Sequence, residues 1–249
     1  MKIFPLFLLS ALISVPLAAQ PPPARPWSAG VFTMTDSQPY KDADGIVRVF
    51  PFISYRGPRL EVLGPMVRYK LISHEGWTLR VRGAVDFGAY EEDDSAILNG
   101  MGDRDTTLLL GLGVIRDLSP NWNSYLTVDR DILGQHDGLE ANAGFSRRLG
   151  SPRQPLSATL TAGLRLEDKR WTRDRVGVPE DRSREDRPAY SPDHSLHPYI
   201  GALAVYRITD RWVTTLILRH EWLDSVYSDS PLVADDTRFT SMFSFSYSF

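Results

Sequence analysis

The chain has 249 residues, no cysteine and a formal net charge of −3, from 28 basic and 31 acidic side chains. It therefore lacks the basic excess that nucleic-acid-binding proteins carry, and we expect no nucleic-acid partner. The length suits a single barrel or a single large all-β domain. The absence of cysteine is compatible with export, because thiols can mispair in an oxidising compartment.

The first 19 residues have the three-part pattern of a secretory signal peptide. Lys2 gives a positive start, residues 3–15 form an apolar run broken only by Pro5 and Ser10, and Ala19 ends a small-residue exit. The apolar run is too short to cross a bilayer as a helix. We therefore expect a signal peptide over residues 1–19, a proline-rich segment over residues 20–26 and a barrel over residues 27–249.

Period-two alternation dominates the rest of the chain, which is the pattern of β-strands with one apolar and one polar face. The C-terminal strand is the clearest example, because its apolar face is almost wholly aromatic. Strands with the same alternation start near Trp77, Leu139 and Leu156. The aromatic face of the last strand carries Phe239, Phe243, Phe245, Tyr247 and Phe249.

Twelve candidate strands can be placed, and an even number is required of bacterial single-chain barrels. Ten strands is the alternative count. Short connections alternate with long polar ones, as do the periplasmic turns and extracellular loops of outer-membrane barrels. The strands are predicted at 27–35, 46–55, 58–63, 65–73, 76–90, 103–117, 121–132, 137–148, 155–168, 197–208, 211–224 and 237–249.

Alternation alone does not say which face points inward. A soluble lipocalin-like barrel has an apolar interior, whereas a membrane barrel turns its apolar face to lipid. The export signal and the ionisable residues in the middle of the polar faces favour an all-β, transmembrane, antiparallel up-and-down barrel in the outer membrane of a Gram-negative bacterium. We expect its surface to contact membrane lipid and lipopolysaccharide. The predicted lumen-facing charged residues are Arg80, Arg82, Asp86, Glu140, Arg148, Arg165 and Glu167.

Three local features lead to separate predictions. The terminal Phe245, Tyr247 and Phe249 resemble the signal read by the barrel-assembly machinery. Pro51 lies inside a predicted strand, where it cannot donate to a ladder, so we expect a bulge or an interruption there. The segment 168–187 is dense in charges of both signs. A solvated loop is slightly favoured for it over a lid on the pore or a contact for lipopolysaccharide phosphates.

No catalytic, metal or cofactor site is predicted. His194 beside Ser195 is the one immediate His/Ser pair, and it lies in a polar, proline-containing stretch where a solvated loop is favoured over a dyad. His136 beside Asp137 is interpreted as turn chemistry. Asp42, Asp44 and Gly45 match only the opening of a calcium loop and suit a hairpin turn instead.

Several spaced motifs resemble those of the MltA-interacting protein family, also called MipA/OmpV. The resemblance extends over essentially the whole mature length. Its most specific part is the end of the chain, where Asp229, Ser230 and Pro231 form the core of one motif before the aromatic strand. The other matching stretches are Val49–Tyr55, Gly100–Arg104, Asp129–Gly138, Tyr190–Pro192, Asp210–Trp212 and Leu223–Val226.

What the resemblance implies is an outer-membrane scaffold that associates with a periplasmic lytic transglycosylase and a penicillin-binding protein. The short periplasmic turns leave little surface for such a partner, so residues Pro21 to Arg25 are our hypothesis for the contact point. A small-solute porin-like channel is the alternative, suggested by the charged lumen. A lipid-modifying enzyme ranks third.

Overall fold

A computed structural model describes residues 25–151 and 154–249 of the chain. The predicted signal peptide and all but the last two residues of the proline-rich segment lie outside the described residues. Within the described part, twelve antiparallel strands form a closed barrel in which β12 pairs with β1, so the predicted fold and strand number are confirmed. The strands are β1 (Trp27–Asp36), β2 (Ile46–Arg56), β3 (Leu60–Leu63), β4 (Met66–His74), β5 (Trp77–Asp86), β6 (Thr107–Ser119), β7 (Trp122–Asp131), β8 (Leu139–Leu149), β9 (Leu156–Glu167), β10 (Ser195–Arg207), β11 (Trp212–Trp222) and β12 (Thr237–Ser248).

Two short α-helices, α1 (Lys169–Val176) and α2 (Ser225–Ser228), lie in the connections between strands. In the described part of the chain, no helix is both long and apolar enough to cross a membrane.

The outer surface of the barrel is a lipid-facing apolar band. Leu110, Leu112 and Phe243 are each about half exposed on it, at 49%, 53% and 47%. Tryptophans and tyrosines lie at one end of the barrel, the end where β1 begins and β12 ends, as in the aromatic girdle of a membrane interface. Arginine side chains lie over three of these rings, which suits an interface where the ring is half-buried and the charge reaches water. The girdle residues are Trp27, Tyr55, Trp77, Trp122, Tyr206, Trp212 and Tyr247.

The barrel end that carries the aromatic girdle is the periplasmic one, because its turns are short. The connections after β2, β4, β6, β8 and β10 have between two and six residues. On the opposite side, residues 37–45, 87–106, 168–194 and 223–236 form long extracellular loops. Two shorter connections lie on that side: residues 132–138 join β7 to β8, and residues 64–65 join β3 to β4. The four-residue β3 stops well short of the extracellular end of β2.

Pro51 does not distort the strand that contains it. The ladder between β1 and β2 runs without a register shift from Trp27↔Tyr55 to Asp36↔Ile46. The N–H of Arg56 donates to Pro26 on the β1 side, and because the direction alternates along a strand, the nitrogen of Pro51 points away from β1. The prediction of a bulge or interruption is therefore wrong for this ladder. On the other side, β3 reaches only Ser54.

This orientation predicts that Pro51→Val breaks no ladder hydrogen bond and only adds one unpaired N–H to the open strand edge, which lowers the free energy of unfolding by about 1 kcal/mol. The matched control is Val31→Pro. Val31 is the cross-strand neighbour of Pro51 and has strands on both sides, so proline there removes a ladder bond and costs about 3 kcal/mol. Urea unfolding of the refolded protein in vesicles, followed by tryptophan fluorescence, measures both. A comparable loss in the two variants would contradict the assigned direction.

Candidate functional site in the capped barrel interior

The four long extracellular loops fold together into one structure, here called the extracellular cap (residues 37–45, 87–106, 168–194 and 223–236). Each loop contributes buried apolar side chains to a single hydrophobic core, in which Leu98, Met101 and Val176 are fully inaccessible. Backbone contacts also join loops that are far apart in sequence, such as the bridge between Tyr40 and Val233. The remaining members of this core are Tyr40, Tyr90, Ile97, Val178, Leu223, Tyr227, Leu232 and Val233.

The cap closes the extracellular mouth of the barrel. Helix α1 begins at its N-cap Asp168, which accepts a hydrogen bond from the Trp171 N–H at 2.9 Å. Trp171 is 1% exposed and packs on Met66, Ala84 and Leu109 of the inner barrel wall. The inward-facing residues at the tops of the strands are buried as a result, and Asp86 is among those with no exposed surface. The interpretation of residues 168–187 as a solvated loop is therefore wrong for residues 171–178, whereas residues 179–186 are exposed.

One buried ion pair fastens α1 to the barrel wall. Arg175 Nη2 lies 2.5 Å from Asp86 Oδ2, and both side chains are buried. Burial disfavours the charge on Arg175, but the carboxylates of Asp86 and Asp174 outweigh burial and raise the pKa of Arg175 above its ordinary value. The backbone carbonyl of Asp174 also accepts a hydrogen bond from Arg104 Nε, at 2.7 Å. The ion pair thus joins α1 of the extracellular cap to the predicted lumen residue Asp86.

Below the cap, Arg165 is the centre of a buried charge cluster. Its guanidinium donates to both carboxylate oxygens of Glu221, at 2.9 and 2.8 Å, and also contacts Glu140 and Glu167. Arg219 donates to Glu221 at 2.6 Å, so three carboxylates face two guanidinium groups. Such bidentate pairs are the geometry in which buried charges are tolerated. The cluster pairs the charged side chains that β8, β9 and β11 bring into the barrel.

A second ion pair depends on a glycine. Arg82 Nη1 lies 3.1 Å from Asp129 Oδ2, although β6 separates their strands. The residue between them in the cross-strand row is Gly111. A Cβ at this position would overlap the Asp129 side chain. The missing side chain therefore lets the two charges meet along the inner wall.

Two tyrosines span the middle of the interior. The hydroxyls of Tyr125 on β7 and Tyr199 on β10 are hydrogen-bonded to each other. Arg219 lies over the Tyr199 ring, 3.7 Å from its centroid. Both strands that lie between these tyrosines have glycine on the inner face. Cβ atoms at Gly144 and Gly163 would stand 2.7 Å from the Tyr125 hydroxyl and 2.8 Å from the Tyr199 ring.

A Ser–His–Glu contact near the cap does not have the geometry of a hydrolase. Ser195 Oγ lies 2.9 Å from His197 Nε2 and 3.2 Å from Glu167 Oε2. The N–H of Asp224 donates to His197 Nδ1 at 3.0 Å, so Nδ1 is unprotonated and Nε2 carries the hydrogen. The ring then donates to Ser195 and cannot accept its proton. His194, the neighbour considered from sequence, has a largely exposed side chain beside Asp193.

The predicted lumen residues all lie on inward-facing positions of their strands. Arg80, Arg82, Asp86, Arg165 and Glu167 are buried, and Glu140 and Arg148 are half-buried, Arg148 at the periplasmic end. Sequence analysis did not single out Arg219, Glu221, His197 or Trp171. The alternation along β11 places Arg219 and Glu221 on one face and could have identified them. No periodic signal marks Trp171, because it lies in a loop.

The motif of Asp229, Ser230 and Pro231 is part of the cap. Ser230 is 2% exposed. Its Oγ donates to the Val176 carbonyl at 2.7 Å and accepts from the Leu232 N–H at 3.2 Å. Asp229 ends α2. The motif therefore joins the last loop to the C-terminal end of α1, which gives it a structural task.

At the C-terminus, Phe245 and Phe249 lie on the outer surface, and the half-buried Tyr247 joins the aromatic girdle. Phe245 stacks on Trp212 with ring centroids 4.7 Å apart. The Phe249 N–H donates to the Trp27 carbonyl at 3.0 Å and so helps to close the barrel.

Comparison with known proteins places the chain in a family. The model of MltA-interacting protein MipA matches residues 29–249. The chain belongs to the MipA family. It is 23% identical to the outer membrane protein YiaT of Escherichia coli (strain K12) over 244 residues, which are 96% of this chain and 97% of YiaT. With this relative and its own closed barrel, it is an outer-membrane protein.

Solved outer-membrane barrels are distant from this MipA-family chain. An outer-membrane channel from Pseudomonas putida F1 aligns with 91% of this chain and 96% of its own length, at 13% identity and a TM-score of 0.44. The NanC porin aligns with 89% of this chain and 100% of its own length, at 9% identity and a TM-score of 0.42.

The ion pair under the cap predicts a local effect of Arg175→Gln. Removing one partner leaves Asp86 buried and unpaired, a cost of about 3–5 kcal/mol, and this cost falls on the contact between α1 and the wall. We expect faster proteolysis within residues 168–194, while the barrel keeps its heat-modifiable mobility on gels. The control is Arg170→Gln, because Arg170 lies in the same helix and pairs with Asp137 at the exposed surface, where such pairs contribute little. Equal proteolysis of the two variants would show that the buried pair does not hold the cap.

Proposed function

We propose that this MipA-family chain is a non-catalytic outer-membrane anchor for periplasmic enzymes that remodel peptidoglycan. The observation that carries the proposal is the closed extracellular mouth, because a barrel sealed by a packed hydrophobic core suits an anchor better than an open channel. The family description, MltA-interacting protein, supports a partner of this class. The proposed partners are a lytic transglycosylase and a penicillin-binding protein.

The periplasmic rim offers a charged surface for such a partner. Its turns are short, so a partner would contact the strand ends, the turns and the segment that precedes Trp27. The rim has more arginine than carboxylate, which would favour an acidic patch on the partner and speed the encounter. The rim arginines are Arg59, Arg116, Arg147, Arg207 and Arg211, and the carboxylates are Glu75, Asp117 and Asp210.

A gated pore is the second candidate. Inward-facing residues such as Gly30, Thr215 and Ser244 on β1, β11 and β12 remain partly accessible, unlike those of β5 to β7. The interior is therefore not filled on this side. A displacement of α1 would connect this space to the exterior.

Single-channel conductance in a planar bilayer separates the two candidates. The anchor proposal predicts that the wild-type protein inserts and stays silent, because Trp171 and the cap block the mouth. Arg175→Gln, which loosens the cap, is expected to open intermittently. Stable wild-type openings whose ion selectivity changes in Arg80→Gln and Arg165→Gln would contradict the anchor proposal and establish a pore.

Partner capture tests the anchor role directly. The purified full-length barrel in nanodiscs should retain the lytic transglycosylase of the same bacterium. Raising the salt from about 0.1 M to about 1 M, which shortens the Debye length from about 10 to about 3 Å, should weaken capture. Deleting residues 21–25 should reduce capture, and a Gly/Ser segment of equal length is the matched control. Undiminished capture by the deletion variant would show that residues 21–25 are not the contact point. No capture by the wild-type protein would contradict the anchor role.

A further inference from the structure

The barrel wall has a notch on one side at the depth of the bilayer. β3 pairs with β2 only over Ser54–Arg56, and β4 begins just beyond the turn at Gly64. Among the described strands, the part of β2 from Ile46 to Ile53 therefore has a neighbour on the β1 side alone. Because a neighbouring strand is missing, the outward-facing side chains of this part of β2 are highly exposed. Val47, Val49 and Ile53 are 67%, 62% and 61% exposed, the highest fractions among the large apolar side chains of the described residues.

The edge of the notch is adapted to its place in a membrane. An unpaired strand edge is costly in lipid, because its N–H and C=O groups lack partners. Pro51 lies in this edge with its nitrogen pointing into the notch. Proline removes one of the unpaired donors, which is its usual role on edge strands.

The inner wall behind the notch departs from the polar interior expected of such a barrel. Phe50 and Phe52 are the inward-facing residues of β2 beside the notch. Phe32 of β1 stacks on Phe50 with centroids 5.6 Å apart and meets Phe52 edge-on at 6.5 Å. Met34 and Met242 continue this surface toward the cap, and Phe87 and Ile217 pack against them. An apolar surface thus extends inward from the notch.

This apolar surface is not fully covered by the protein. Phe32, Phe50 and Phe52 are half-buried, whereas the two methionines beside them are 2% exposed. Burying a phenylalanine side chain gains about 1.5–3 kcal/mol, so three partly open rings inside the barrel favour an apolar occupant. The cap covers these rings from the extracellular side, and the missing strand at the notch would let a lipid chain approach them from the side.

A positive charge lies at the foot of the notch. Arg56, Glu61 and Arg68 follow one another in a cross-strand row on the inner wall, immediately below Ser54. Arg68 lies 3.8 Å from Glu61, so the row of two arginines and one carboxylate has one positive charge in excess. The next member of the row, Arg82, is paired with Asp129. An anionic group near Arg56 would balance the excess.

We propose that the notch admits a single acyl chain from the outer membrane into the barrel, and that this chain belongs to a free fatty acid. The chain lies against Phe32, Phe50 and Phe52, and its carboxylate lies at Arg56. The inference is independent of the anchor function, because it needs no protein partner.

Photo-cross-linking tests this site in the full-length barrel in nanodiscs. The probe is a long-chain fatty acid with a diazirine at the end of its chain, and the labelled residues are mapped by mass spectrometry. Labels on Phe32, Phe50 or Phe52, in addition to outer-surface residues, are expected. Labels confined to the outer surface would overturn the proposal, because they would show only the surrounding lipid.

Variants locate the two ends of the ligand. Phe50→Ser combined with Phe52→Ser should lower interior labelling about tenfold, whereas Phe145→Ser on the outer face of β8 should leave it unchanged. Phe50→Leu combined with Phe52→Leu keeps an apolar wall and should keep the labelling, which guards against a folding defect. Arg56→Gln should weaken labelling by the acid but not by its methyl ester. Interior labelling by a diazirine phospholipid as strong as that by the acid, with no effect of Arg56→Gln, would overturn the assignment to a free fatty acid.

Discussion

The lack of water in the bilayer is the constraint on which the rest of this structure depends. Every backbone group within the membrane must find a partner in the protein, and a closed antiparallel barrel meets that demand for almost the whole chain. Closure by β1 and β12 also fixes the two faces of each strand. Most leucine, valine and phenylalanine side chains of the strands face lipid, and the ionisable side chains in the middle of the strands face the interior. There they must neutralise one another, and the cluster around Arg165 is the result.

The interior is organised in layers. The cap and Trp171 close the extracellular end, the charge cluster lies beneath them, and the hydrogen-bonded Tyr125 and Tyr199 span the middle. Glycines at 111, 144 and 163 are essential to this arrangement, because each leaves room for a side chain from a neighbouring strand. The cap and the wall are linked by Asp86–Arg175 and by Tyr227, which donates to Glu167 at 2.6 Å. Movement of the cap would therefore disturb the lumen charges directly.

Among the described strands, the wall is incomplete at the notch, and the interior beside the notch is apolar. A short β3 and an aromatic inner face on β2 have no obvious common cause in barrel stability, since extending β3 would satisfy more backbone groups. Their coincidence suits a barrel that takes up an acyl chain from the membrane while its extracellular mouth is closed. The anchor role and the acyl-chain site use different parts of the molecule and are compatible with each other.

By itself, the sequence determined the barrel, its twelve strands and the inward direction of residues such as Arg80 and Arg165, because alternation with period two depends only on local strand geometry. Its motifs also indicated the family. It did not determine that residues 168–194 fold into the mouth, since Trp171 and Arg175 lie in a polar loop whose partners, Met66 and Asp86, are 105 and 89 residues away in the sequence. It also suggested a local defect at Pro51, where the structure has an intact ladder with an unpartnered edge. Only the tertiary structure decides such contacts, because they depend on which loops and strands closure of the barrel brings together.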